Sequence, residues 1–336
     1  MNKRLLLNLI MLTLIFITFS LNSAFAVEKI DITAVSASPG GSWYAIMGGM
    51  AEIIKQEEPN INIKTTPGGS FANILRVANN EAQLGFTFPF WITQALERSG
   101  DYAARPELEK GSLLTLAGGF GSSPLQFAVT SELAEKYGIE TVKDLIDKKV
   151  PMKIAVNVPG THEPWALEKI FGFYGATLKD VESWGGPIQY GGYANSVQLM
   201  KDGHADVLLL DINPPAGPFV EILVSRKLKF IPLTQDAIDY MVEKQGHVYS
   251  VIPANTYEGQ EVDIPTATML TILITNDKMP EEVAYSIIKI LDKKKEQLQS
   301  LAAALEVFNP ETSWENLIAP LHPGAERAYR ELGYMK

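Results

Sequence analysis

The chain has 336 residues, 46% of them hydrophobic and 20% charged, with a formal net charge of −10 and no cysteine. Disulfide staples and thiolate chemistry are thereby excluded, and the acidity argues against nucleic acid or an anionic lipid surface as partner. The length exceeds what one core usually holds, so two domains or lobes are expected.

In chain order the first predicted element is an export leader. Asn2, Lys3 and Arg4 open it, residues 5–21 are almost continuously apolar, and Ala24-Phe25-Ala26 supplies small residues where signal peptidase needs them. The run is long enough for a membrane anchor, but an Ala-x-Ala site follows it and no basic stop-transfer patch does. Cleavage after Ala26, a leader at 1–26 and a periplasmic location are therefore expected. Losing Lys3 and Arg4 with the leader takes the net charge from −10 to −12. No second apolar run approaches spanning length.

Beyond the leader a short apolar strand, a glycine turn and an amphipathic helix recur. Residues 30–36 read as a strand, broken by Pro39-Gly40-Gly41-Ser42, with Ile46, Met47, Met50, Ile53 and Ile54 at helical spacing after it. A second strand at 61–65 leads through Pro67-Gly68-Gly69-Ser70 into a helix carrying Ile74, Leu75 and Ala78, and 84–88 is a third strand. Strands at 113–117 and 125–130 flank a glycine-rich 118–123, and a helix covers 142–147. The pattern then restarts with a strand at 154–158, the turn Pro159-Gly160-Thr161 and a helix at 165–174. A helix near 196–201, strands at 207–211 and 269–275, and a long helix at 281–301 complete the reading. Such alternation predicts mainly parallel α/β sheets. Two α/β lobes joined by crossing strands fit better than a barrel, which needs eight even units. Residues 27–123 plus 232–336 are read as one lobe and 124–231 as the other.

Three turns stand out because each joins a strand end to a helix start through glycine and a hydroxyl residue: Gly41-Ser42, Gly69-Ser70 and Gly160-Thr161. Ser42, Ser70 and Thr161 are expected to cap their helices. The remaining amides and the positive dipole end would make an anion site, at the strand ends where open α/β sheets bind ligands. Glycine there allows the closest approach to the backbone. No cation occurs in the three turns, so amides, hydroxyls and dipoles would hold most of an anion's charge.

The ordered set Gly41-Ser42-Trp43-Tyr44, Pro67-Gly68-Gly69-Ser70-Phe71-Ala72-Asn73, Leu84-Gly85-Phe86, Val158-Pro159-Gly160-Thr161, Asp202-Gly203-His204-Ala205-Asp206 and Pro253-Ala254-Asn255-Thr256-Tyr257-Glu258-Gly259-Gln260 resembles the TAXI family, the extracytoplasmic solute receptors of TRAP transporters. The resemblance covers essentially the whole chain after the leader. It implies a type II periplasmic-binding-protein fold closing around a small carboxylate, and delivery to TRAP membrane subunits on other polypeptides. It places Ser42, Tyr44, Ser70 and Asn73 on one wall, with Gly160 and Thr161 opposite. The chain departs from the family's usual forms at Trp43, at Phe86-Thr87-Phe88-Pro89-Phe90-Trp91 and at His162-Glu163-Pro164-Trp165, which would make the cleft more aromatic.

Further candidates follow from position. Phe88, Phe90 and Trp91 either stack on a planar ligand or fill core. His162 either pairs with a carboxylate or is a solvated loop histidine. Tyr190 and Tyr193 bracket a glycine loop before a helix, and Asn213 follows the 207–211 strand. None of His162, His204, His247 and His322 falls in a metal-binding spacing, and neither a Gly-x-Ser-x-Gly elbow nor a phosphate loop is present. A non-enzymatic monomer with no catalytic residue, metal or cofactor is expected. A periplasmic sensor docking on a histidine kinase is the alternative, and an enzyme on the same scaffold a more distant one.

Overall fold

The computed structural model describes residues 29–105, 108 and 113–336; the leader and its cleavage site lie outside them. The chain runs β1 (Ile30–Val35), α1 (Ser42–Glu57), β2 (Ile61–Thr66), α2 (Ser70–Ala78), β3 (Leu84–Thr87), α3 (Pro89–Glu97) and β4 (Leu114–Ala117). It crosses through Gly118–Gly121 into β5 (Ser122–Thr130), followed by α4 (Ser131–Tyr137), α5 (Val142–Asp147), β6 (Ile154–Val156) and α6 (His162–Phe173). Then come α7 (Leu178–Ser183), β7 (Ile188–Tyr190), α8 (Tyr193–Lys201), β8 (Val207–Asp211), α9 (Gly217–Leu223) and β9 (Leu228–Ile231). After α10 (Gln235–Gln245), β10 (Val248–Ile252) and β11 (Ile264–Leu270), the chain returns as β12 (Ile272–Thr275), α11 (Glu281–Lys293), α12 (Lys295–Gln299) and α13 (Pro323–Glu331).

Two sheets result. One has the order β2-β1-β3-β12-β4; the other is β10-β11-β5-β8-β6-β7, with β9 also on β5. This is a mixed α/β architecture in two lobes. The expectation of mainly parallel sheets needs correcting. β1 pairs with β3 and β6 with β7 and β8 in parallel, but β12 runs antiparallel to β3 and β4, and β5 antiparallel to β8, β9 and β11. The strands that cross between the sheets, β5 and β12, run antiparallel to the neighbours they join, and β10 and β11 add an antiparallel pair of their own.

The lobe boundary near 232 also moves. β10 and β11 stay in the second sheet, paired with each other and through β11 to β5, so the return to the first sheet falls at Thr271. There the two crossings lie side by side: Ser122 and Ser123 pair with Leu270 and Met269, and the Thr271 amide donates to the Gly121 carbonyl at 3.0 Å. The reason is edge pairing. Val248–Ile252 cannot leave without unpairing five ladder positions against β11, and buried backbone groups are costly to leave unbonded.

The strands nearest the cleft are buried along their whole length and mostly apolar. Every residue of β3 and of β8 is buried, and each buried aliphatic side chain contributes roughly 1.5–3 kcal/mol. The predicted helix at 281–301 is interrupted at Lys294, where φ −109° and ψ 24° leave helical geometry, and Lys293 and Lys294 both reach Glu57.

Candidate functional site

The first turns of four helices meet in one cavity. Gly41, Ser42 and Trp43 at the start of α1 and Gly69 and Ser70 at the start of α2 come from the first lobe. Thr161, His162 and Glu163 at the start of α6 and Tyr193 at the start of α8 face them from the second. Phe88, Ser123, Asn157 and Asp211 complete the polar and aromatic lining.

The expected hydroxyl caps are not formed. The capping positions of α1 and α2 are Gly41 and Gly69, both extended, with Ser42 and Ser70 one residue inside, and the cap residues of α1, α2 and α6 make no side-chain cap bond. Thr161 does sit at the cap of α6, but its hydroxyl donates back to the Val158 carbonyl at 2.7 Å. A glycine has no side chain to cap with, so first-turn amides carry no side-chain cap and their partial positive charge faces the cavity.

The glycines also set how closely the lobes approach. A Cβ on Gly69 would lie 2.4 Å from the Gly160 carbonyl oxygen, and one on Gly41 would lie 2.5 Å from Cε2 of Tyr193. Direct bonds cross the gap. The Ala72 amide donates to the Gly160 carbonyl at 3.3 Å, and the Ser38 hydroxyl donates to Oδ1 of Asn157 at 2.8 Å. An aromatic seam runs beside them, with ring centroids 5.2 Å apart for Phe90 and Trp165, 5.0 Å for Trp91 and Trp165, and 5.4 Å for Phe88 and His162. The space left is about 20 Å³, room for about one water molecule. The two lobes are closed on each other.

A buried polar network forms the second-lobe wall. The Tyr193 hydroxyl donates to Oε1 of Glu163 at 2.7 Å, and the Asn157 amide donates to the same oxygen at 3.1 Å. His162 Nδ1 lies 2.9 Å from Oδ2 of Asp211, and the Glu163 and Asp211 side chains are hydrogen-bonded to each other. Exposure is 1% for Glu163, 8% for Asp211 and 1% for His162, and none of the cavity-lining residues is a lysine or arginine. Burial, together with the neighbouring Asp211, pushes the Glu163 carboxyl up to about 8, and burial pushes Asp211 up to about 7. Burial lowers His162 to about 4, so the imidazole is neutral and Nδ1–H donates to Asp211. Glu163 and Asp211 thus hold a proton between them at neutral pH. Two buried polar atoms on cavity-lining residues have no partner, Ser70 Oγ and His162 Nε2.

Of the residues singled out from sequence, Ser42, Trp43, Gly69, Ser70, Thr161, His162 and Tyr193 line this cavity. Six others do not. Asn73 faces into its own lobe, donating to the carbonyls of Ser36 at 2.7 Å and Phe86 at 2.8 Å while accepting from the Gly69 amide at 3.0 Å. It ties the Gly68-Gly69 turn to two strands, and both of its N–H donors are spent within its own lobe. Tyr44 is half-buried and outside the lining, because it follows Trp43 on the helix by 100° and points elsewhere. Phe90 belongs to the aromatic seam. Gly160, with φ +93°, and Tyr190 line a neighbouring groove beside Phe71, Arg105 and Trp165. Asn213 donates to the Ser122 carbonyl at 3.2 Å, bracing the crossing strand. Phe88 and Trp91 are both almost fully buried, and Phe88 does line the cavity. His162 is neither solvated nor free: it pairs with a carboxylate of the protein itself.

Sequence reasoning passed over Glu163 and Asp211. A signal existed for each. Asp211 is a lone charge closing the apolar run Val207–Leu210, at the strand end that faces ligands in such folds. Glu163 stands in the first turn directly before Pro164, a place where a helix start is fixed. Among the described residues no group of three or more His, Asp or Glu side chains is placed to hold a metal ion, and no helix is long and apolar enough to cross a membrane.

The fold recurs among solved structures. A solved periplasmic transporter superposes with a TM-score of 0.54 at 13% identity, over 92% of this chain and 98% of that one. A periplasmic binding protein of an arginine transport system from Legionella pneumophila gives 0.43 at 14% identity, over 83% and 100%. The alkanesulfonate-binding protein SsuA from Xanthomonas axonopodis pv. citri gives 0.42 at 12% identity, over 93% and 86%. The fold is that of the solved periplasmic transporter. The model of the NMT1-like family matches residues 35–333.

Proposed function

The chain belongs to the NMT1-like family, and from that premise we propose that it is an extracytoplasmic receptor that captures a small organic acid between its lobes. The observation that carries the reading is the convergence of four uncapped or glycine-capped helix starts from two lobes on one closed cavity, with the Ser70 hydroxyl buried and unpartnered among them. Helix starts of this kind suit an acid group. A cavity with room for about one water cannot be entered as it stands, so the ligand enters with the lobes apart and closure follows, in the manner of hinged binding proteins.

The ordered TAXI-like motifs support delivery to TRAP-type membrane subunits as the role of the closed complex. We assign the protein to the periplasm on its leader, and a binding rather than catalytic role because the Ser70 hydroxyl and His162 Nε2 in the cavity have no hydrogen-bond partner and so are not bonded to each other as nucleophile and base. The test is a thermal-shift screen of carboxylates, amino acids and aromatic acids on ligand-stripped protein. A ligand at 100 times its dissociation constant should add about 2.7 kcal/mol of stability. Recovered ligand should be chemically unchanged, and uptake into proteoliposomes carrying TRAP subunits should require the receptor. A panel that shifts nothing, or a ligand returned altered, overturns the reading.

A further inference from the structure

The wall opposite α1 and α2 is built for the other sign of charge. Glu163 and Asp211 are hydrogen-bonded to each other inside a closed cavity, and the groups that touch them are neutral: Asn157, Tyr193 and His162. No lysine or arginine lines the cavity to balance them. Two carboxyl groups placed so raise the cost of burial and repel the acid that the helix starts attract. The arrangement makes sense if something cationic arrives with the ligand. Resting on the receptor reading above, we propose that Glu163 and Asp211 form a second subsite of the cleft that receives a protonated amine of the ligand.

The donor and acceptor count agrees. An ammonium has three donors and no acceptor. The wall offers carboxylate oxygens, and the same cavity is lined by two residues with buried atoms that can accept and have no partner, His162 Nε2 and Ser70 Oγ, with their residues 1% and 3% exposed. The positive ends of α1 and α2 disfavour an ammonium on their side, which orients the ligand with its acid group toward the first lobe. When free of ligand, the carboxyl pair keeps its charge low by holding a proton; the ammonium takes that proton's place and the proton leaves. The titratable groups facing the pair are His162 on α6 and Tyr193 on α8, with the His247 ring tilted against His162 at 5.0 Å between centroids. Burial keeps both histidines neutral, so the carboxyl pair is the source of the released proton.

The test uses matched compounds that differ only in the amine: L-glutamate against glutarate, 4-aminobutyrate against butyrate, and L-phenylalanine against 3-phenylpropionate. Thermal shift and calorimetry on the ligand-stripped protein, in two buffers of different ionisation heat, read affinity and proton count. The amine-bearing member of at least one pair should bind at least about tenfold tighter than its amine-free partner, as a charged hydrogen bond implies, and release close to one proton at neutral pH. E163Q and D211N should each remove that preference. In E163Q the side-chain oxygen still accepts from Asn157 and Tyr193, and its melting curve verifies the fold. Equal or tighter binding of the amine-free acids, proton uptake on binding, an unchanged preference in both variants, or failure of every amine to bind overturns the subsite. Binding by amine-free acids alone sinks the subsite and leaves the receptor reading standing, whereas a ligand returned altered sinks the receptor reading.

Discussion

Gly69→Ala tests lobe closure with a single methyl group. Gly69 is extended, with φ −166° and ψ 151°, a conformation any residue adopts, so alanine brings no backbone strain. Its methyl would meet the opposite lobe: 2.4 Å to the Gly160 carbonyl oxygen and 2.8 Å to Cγ2 of Thr161. Ordinary contact between such atoms is about 3.5 Å, so the lobes must part by roughly 1 Å. That stretches the Ala72–Gly160 and Ser38–Asn157 hydrogen bonds beyond useful length, at about 1 kcal/mol each. Closure then costs about 2 kcal/mol more, and apparent affinity should fall about 30-fold. Calorimetry with the ligand found in the screen measures the loss, and small-angle scattering should show a larger radius for the variant. Unchanged affinity together with unchanged scattering would refute closure at this contact. Gly160→Ala is a poorer probe, because at φ +93° alanine strains its own turn as well.

Three further outcomes are expected. Because Glu163 and Asp211 have carboxyls raised to about 8 and about 7, the stability they contribute is fully present below the ordinary carboxylate range and lost as pH rises through 7 and 8; His162, lowered to about 4, contributes stability above its ordinary value near 6.5 that is lost as pH falls toward 4. Denaturant unfolding of the ligand-free protein should therefore weaken from pH 6 to 9, by a few kcal/mol at the order-of-magnitude level, and E163Q should flatten that decline; an equally steep decline in the variant removes the pair as its cause. Asn73→Ala leaves the Ser36 and Phe86 carbonyls and the Gly69 amide without their partner and should cost about 2–4 kcal/mol of stability, seen as a lower denaturant midpoint; a wild-type midpoint would show those bonds to be dispensable. Trp165→Ala removes the ring that meets Phe90 and Trp91 across the cleft, and at about 0.5–1.5 kcal/mol per aromatic pair it should weaken ligand affinity by about tenfold, with calorimetry as the check and no change as the contrary result.

Local pattern alone carried a good deal of this protein. Strand and turn periodicity is a short-range property, so β8 appears at Val207–Asp211 as read, and the turns at Gly41-Ser42, Gly69-Ser70 and Gly160-Thr161 do join strands to helices. The two-lobed α/β class follows from the same alternation. What tertiary structure alone decided involves partners distant in sequence. The return crossing lies at Thr271 because β10 and β11 find their ladder partners in the second sheet, a pairing that hydrophobic periodicity does not encode. Asn73 faces inward because two carbonyls of its own lobe need its donors. Glu163 and Asp211 meet only when α6 packs over the end of β8, and their shared proton exists only because burial makes two charges too costly. The chain by itself determined where helix starts and strand ends occur; which of them face one another across the cleft, and with what charge, was decided by packing.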